Sequence, residues 1–179
     1  MNIETPKLVL RAVEPKDARF LADLVNDPEA REGLGPYSLV FPMSVDMEER
    51  WIDAASKTSD SHMIITLRSG FVPIGLLSLR DHDKRNGSMH LNVILQKKNW
   101  DKGYGTEAVS GVLKFLFDRM NLHRVWLRVP EHNKRAIKCF KKCGFKFEGT
   151  LREDHFTGDE WHDSQLMSVL VNDFGRKKP

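Results

Sequence analysis

The chain has 179 residues, 40% hydrophobic and 30% charged, with a formal net charge of +3. That length fits one domain, residues 1–179, that buries a core without disulfide staples, and the composition excludes collagenous, low-complexity and disordered classes. The Lys and Arg residues are spread along the chain and form no basic stripe, so nucleic acid is not an expected partner.

Residues 7–11 read as a strand. Glu14 and Pro15 open a helix with proline at its first position, followed by Ala18, Leu21, Leu24 and Val25 at helical spacing. Gly33, Gly35 and Pro36 make a loop, and Ser44 is placed to cap a second helix carrying Met47, Trp51 and Ala55. Residues 62–68 and 74–79 flank a turn at Gly70 and form a hairpin. Residues 81–87 are polar and turn-rich; Asp81, His82 and Asp83 have metal-ligand side chains, but a solvated turn explains them and no metal is expected. Residues 89–95 form the next strand, with Met89, Leu91, Val93 and Leu95 on one face and His90, Asn92 and Ile94 on the other.

A glycine-bearing loop, residues 100–106, runs into a helix whose buried stripe is Val109, Val112, Leu113, Leu116 and Met120. Residues 124–129 are a strand, and a short helix spans residues 134–142, ended by Gly144. Cys139 and Cys143 lie four residues apart on it, a spacing poor for a disulfide, and read as small buried side chains. Residues 145–151 and 165–171 are expected to pair antiparallel as the last two strands. The alternation of elements argues a mixed α/β sheet protein. With no apolar run of membrane-spanning length and no leader-like start, no membrane association and a cytoplasmic location are expected.

The loop at Gly103 and Gly105 carries the first chemical signal. A helix amino terminus leaves backbone N–H groups unpaired and partly positive, and glycines let an anionic ligand approach them. The loop is neither a P-loop nor a dinucleotide fingerprint, and a tight turn alone would use the same glycines. A second motif gives it context: Asn133, Ala136, Phe140, Gly144 and Phe145 resemble the N-x-x-A-x-x-x-[YF]-x-x-x-G-F signature of GNAT acetyltransferases. Trp100, Lys102, Gly103, Tyr104, Gly105, Thr106, Glu107 and Ala108 resemble that superfamily's acetyl-CoA pyrophosphate motif in its RimJ/RimL form. The resemblance extends through residues 5–11, Asp17, Gly75 and residues 149–152; Arg152, Trp161 and Asp163 resemble the family's sheet-supporting tail.

The resemblance implies a mixed sheet of about seven strands with helices on both faces, and a gap between two splayed central strands, residues 89–95 and 124–129. It implies acetyl-CoA as co-substrate, with the backbone of Ile94 and Leu95 pairing with the pantetheine amides. Lys102, Gly103, Tyr104, Gly105 and Thr106 would hold the pyrophosphate segment, Asn133 the pantetheine arm, and Phe140 the region near the sulfur. Trp100 departs from the Gln or Arg common in the superfamily, although aromatic residues also occur there in this branch.

Acetyl transfer needs a neutral amine, a stabilised oxyanion and a departing thiolate. His90 stands where many family members carry Glu and is the candidate general base; a hydrogen-bonded sheet histidine is the alternative. Phe140 replaces the frequent Tyr general acid, but a thiol of pKa about 8.5 leaves tolerably without one. A protein N-terminal amine is the first expectation for the acceptor and a polyamine or other small amine the second, with Glu48, Glu49, Asp53, His155 and His162 as candidate lining. A non-catalytic acetyl-CoA sensor and a small nucleic-acid-binding domain are the readings from other classes. A monomer or homodimer is expected.

Overall fold

The computed structural model describes residues 2–32, 41–157 and 160–175. Its strands are β1 (Ile3–Glu4), β2 (Leu8–Ala12), β3 (Ser61–Leu67), β4 (Pro73–Asp83), β5 (Ser88–Leu95), β6 (Arg124–Pro130), β7 (Lys146–Thr157) and β8 (Glu160–Leu170). Its α-helices are α1 (Ala18–Asn26), α2 (Pro28–Glu32), α3 (Val45–Ala55), α4 (Tyr104–Asp118) and α5 (Lys134–Lys142). Among the described residues the strands form one mixed sheet in the order β1-β2-β3-β4-β5-β6-β8-β7. The sheet has eight strands, not seven: the short β1 folds back on β2, pairing Ile3 with Leu10.

Local chemistry sets several boundaries. Pro15 begins a single 3-10 turn that leads into α1, with Asp17 accepting the Glu14 N–H at 2.8 Å. The Ser44 hydroxyl accepts the Met47 N–H at 3.2 Å and caps α3 as expected. Gly144, at φ +91°, follows α5 in the left-handed region that glycine tolerates. The sequence placed Asp81, His82 and Asp83 in a turn, but they extend β4 past a register shift, with Asp81 at φ 53°. β7 and β8 also continue well beyond the expected 145–151 and 165–171 into a long hairpin. Gly33, Gly35, Pro36, Gly158, Asp159 and residues 176–178 lie outside the described residues.

The two faces of the sheet bury different helices. Met89, Leu91, Val125, Leu127, Val129, Met167 and Val169 pack with the α4 stripe of Val109, Val112, Leu113 and Leu116 and with Ile137 and Phe140 of α5. On the opposite face Ile64, Leu76 and Ile94 pack under Leu21 and Leu24 of α1 and Ile52 of α3. The alternation read from β5 is therefore the alternation between these two cores.

β5 and β6 are the parallel pair at the centre, and their registered pairing is confined to Ser88↔Arg124, Met89↔Val125 and His90↔Trp126. Beyond it each strand follows its outer antiparallel partner: β5 stays with β4 through Gly75↔Leu95, and β6 stays with β8 through Pro130↔Ser164. Gly75 makes the β4 side of this arrangement close-fitting. A Cβ there would stand 2.3 Å from the Ile94 carbonyl oxygen and 2.5 Å from Leu95 Cδ2, so backbone would have to move. Gly75→Ala is expected to lower unfolding free energy by about 1–3 kcal/mol in urea titrations, the usual overpacking range. An unchanged midpoint would show that β5 is not held against β4 as described.

Candidate active site

The gap between the parted strands is the floor of a cleft of about 340 Å³, walled by residues 91–95 of β5, Arg128 and Val129 of β6, the loop into α4, and the inner face of α5. Strands that part leave backbone groups without sheet partners, and buried backbone polar groups are paired in nearly all folded proteins. The cleft therefore offers a ligand a row of main-chain hydrogen-bonding groups. A side-chain group in the wall has the same need: Asn99 is 7% exposed, and among the described residues its Nδ2 has no hydrogen-bond partner.

Two left-handed residues, Asp101 at φ 58° and Gly103 at φ 82°, turn the loop into α4. Gly103 is the N-cap and supplies no side-chain cap, so the first-turn N–H groups of α4 face the cleft. A Cβ on Gly103 would meet nothing within 4 Å, so the glycine answers a backbone requirement and not a packing one. Glu107, the acidic residue of the first turn, is drawn away from that N-terminus. Its Oε1 accepts from the Thr5 hydroxyl at 2.6 Å and from the Lys7 N–H at 2.7 Å. The chain's opening motif and its loop motif thus meet in one contact.

Trp100, the apparent departure, fastens the same loop: its Nε1 donates to the Leu95 carbonyl at 2.8 Å. The Arg135 guanidinium lies 3.1 Å above its ring centroid, a cation–π stack that brings positive charge to the cleft. Lys138 and Lys142 of α5 add to that charge. Asn133 caps α5, its Oδ1 accepting the Ala136 N–H at 3.0 Å, which leaves the amide NH₂ as its donor end. Phe140 reaches the cleft and packs edge-on against Phe145 at 5.7 Å.

Ile94, Leu95, Gly103, Tyr104, Gly105, Thr106, Asn133 and Phe140 thus come together in the cleft wall. Lys102, between Asp101 and Gly103, is exposed and is not among the residues of the wall. His90 also stays out of the wall. It is 1% exposed at the apex where the strands part, its ring 4.5 Å from that of Trp126. Burial pushes its pKa from 6.5 down to about 4; Asp81 opposes this, and Arg128 and Arg80 push further down. Sequence reasoning missed Cys139, read as buried: it is partly exposed and lines the cleft, while Cys143 is buried behind it.

On the α1 and α3 face, β3, β4 and β5 carry a polar row. His62 pairs with Ser78, their side chains 2.9 Å apart, and Ser78 is opposite Asn92. Across the gap Arg128 reaches Asp154 at 3.1 Å, and both Asn92 and Arg128 line the cleft. His155 and His162 sit farther along the β7–β8 hairpin, rings 5.4 Å apart, outside the cleft wall. Above the sheet, Glu48 precedes Ile52 by one turn on the packing face of α3 and is 5% exposed. Burial pushes its pKa up, and among the described residues it has no ion-pair partner. Glu49 and Asp53 are exposed on the same helix, and Asp53 is paired with Lys57.

Residues 7–146 match the model of the acetyltransferase (GNAT) domain, and the chain belongs to that family of N-acetyltransferases. It is 26% identical over 177 residues to a spermidine N(1)-acetyltransferase of Vibrio cholerae, covering 94% of this chain and 95% of that protein. It is also 26% identical over 175 residues to the Bacillus subtilis protein YdaF, provisionally named a ribosomal N-acetyltransferase, covering 96% of this chain and 95% of that protein. Its fold matches the crystal structure of spermidine N-acetyltransferase from Vibrio cholerae in complex with CoA and spermine, with TM-score 0.87 and 24% identity over 96% of this chain and 100% of that one. Among the described residues no helix is long and apolar enough to cross a membrane.

The histidine at the apex yields a test by stability. The unfolded chain takes up a proton at His90 near pH 6.5, whereas the folded chain resists until about 4. Stability from this residue is therefore intact above 6.5 and falls as pH drops toward 4. His90→Gln is expected to reduce the loss of unfolding free energy across that window by roughly 3 kcal/mol, read from urea titrations at pH 7, 5.5 and 4.5. Parallel wild-type and variant profiles would place the histidine in a solvated setting.

Proposed function

We propose that the cleft binds acetyl-CoA and that the protein passes the acetyl group to a primary amine of a small polycation of the spermidine class. The cleft residues suit the co-substrate: an uncapped helix N-terminus and the α5 cations for phosphate groups, and the unpartnered Asn99 amide and the β5 backbone for an amide-bearing arm. Acetyl-CoA supplies the thioester when bound. Phe140 keeps the cleft apolar near α5 and donates no proton, so the thiolate leaves as the better of the available leaving groups.

The observation that carries the acceptor class is Glu48. A carboxyl buried without a cation is costly, and a bound ammonium lowers that cost. In this reading one ammonium of the polyamine lies at Glu48 while a second amine, having lost its proton, reacts. An alkylamine of pKa about 10.4 is neutral in only about one molecule in two thousand at pH 7, so where its proton goes matters. An imidazole held near 4 is a poor acceptor, uphill by roughly 8–9 kcal/mol from such an ammonium. His90 therefore reads as a neutral wedge at the apex, with solvent at the polar lip of Asn92 and Arg128 taking the proton. The second reading, a protein N-terminal amine, is favoured by the similarity to YdaF and by the smaller deprotonation cost of an α-amine of pKa about 8.

Free-thiol release from acetyl-CoA against spermidine, spermine, N-terminal peptides and lysine peptides separates these readings. Turnover is expected with the polyamines. Glu48→Gln is expected to raise KM for spermidine about tenfold with a much smaller change in kcat, the cost of one charge-assisted contact. Turnover confined to N-terminal peptides would select the second reading. Silence across the panel with acetyl-CoA bound in calorimetry would indicate a cofactor-binding sensor.

A further inference from the structure

The acetyl-transfer chemistry leaves one nucleophile in the cleft unused. Cys139 lies on the inner face of α5, its Sγ 3.4 Å from the Thr106 hydroxyl in the first turn of α4. A Cβ on Gly105 would stand 3.4 Å from the same sulfur, so the thiol lies against the helix N-terminus that faces the ligand space. Cys143, one turn along α5, is buried behind it, with Sγ 3.6 Å from the Ser110 hydroxyl and 3.5 Å from the Thr106 carbonyl. The pair is asymmetric: one sulfur faces the cleft and the other supports it from the core.

That support changes the chemistry of Cys139. The neighbouring Cys143 side chain is the largest influence pulling its pKa down from 9 to about 7; the Thr106 hydroxyl and the charges of Lys142 and Arg135 add to it against the cost of burial. Cys143 is pushed the other way. Thiolates near cations and helix N-termini are the reactive ones, and a thiol titrating near ambient pH is close to the optimum for disulfide exchange. The ligand that the cleft suits is itself a thiol compound, and the buried unpartnered Asn99 amide in the same wall independently marks the space as a binding site.

We propose that Cys139 is a thiol-exchange site that takes CoA disulfide and, once modified, closes the cleft to acetyl-CoA. The Cys139 thiolate attacks one sulfur of CoA disulfide. The Cys139–S–S–CoA bond forms as the original S–S bond breaks, and one CoA departs as a thiolate that takes a proton from water. The disulfide is the only oxidant consumed, and a thiol reductant reverses the step. The site rests on the reading of the cleft as the acetyl-CoA site, because the CoA moiety delivers the disulfide to it.

The test incubates reduced protein with CoA disulfide or with glutathione disulfide, follows the adduct by intact mass and peptide mapping, and measures acetyl-CoA binding separately by calorimetry. One CoA adduct on Cys139 is expected, forming about tenfold faster than the glutathione adduct, blocked by saturating acetyl-CoA and removed by dithiothreitol. Cys143→Ala is expected to slow the adduct, since the neighbouring thiol that lowers the Cys139 pKa is removed. In Cys139→Ser no adduct forms, and whatever acetyl-CoA binding the variant has is the same before and after treatment. An adduct on Cys143, equal rates with both disulfides without protection by acetyl-CoA, or no adduct on a protein that binds acetyl-CoA would each overturn the proposal. A protein that does not bind acetyl-CoA at all would instead overturn the reading of the cleft, and this site with it.

Discussion

Hydrogen bonds to β4 carry β5 as far as Leu95, and hydrogen bonds to β8 carry β6 as far as Pro130, while the two strands keep each other for three registered pairs. The cleft depends on that competition. Antiparallel partners on the outside win, and the parallel pair at the centre opens. Because the backbone of an opened strand still needs partners, the sheet builds a ligand site from main chain before any side chain is considered. Gly75 is part of the same constraint, since the Ile94 carbonyl lies where any larger residue would put its Cβ.

The remaining elements aim charge and helices at the opening. α4 begins at the cleft with a left-handed glycine, and its one first-turn carboxylate is engaged by Thr5 and the Lys7 amide. The partial positive end of the helix is thus left for a ligand. α5 lies across the cleft with Arg135 stacked on Trp100, whose indole N–H is fixed to the end of β5. The opposite face of the sheet carries a different chemistry, the polar row of His62, Ser78 and Asn92, and the helix α3 packed on that face carries the buried Glu48. Phosphate-seeking groups on one side and a carboxyl on the other suit a reaction between an anionic donor and a cationic acceptor.

Much of this was legible in the sequence because it is written in local rules. Gly103, Gly144, Ser44 and Asn133 are positions where a turn or helix end dictates the residue, and the structure uses them so. The faces of β5 follow from period-two alternation. What the sequence leaves open depends on three-dimensional neighbours. Lys102 sits in the loop motif between left-handed Asp101 and Gly103 and is exposed. His90 has a base's side chain, but Trp126 and the surrounding sheet bury it and hold it neutral. Cys139 has the composition of a core residue, and only the packing of α5 against α4 brings it to the cleft. The two-residue β1 lies below the length at which alternation carries a signal, so the eighth strand leaves no mark in the sequence pattern.

The proposed ligand site is the backbone opened between β5 and β6. Amide hydrogen exchange with and without acetyl-CoA tests it most directly. Added protection is expected at residues 92–95 and 103–106, with the β1–β2 hairpin and the β7–β8 tip unchanged. Protection that appeared elsewhere and left those two segments exchanging as in the free protein would contradict it.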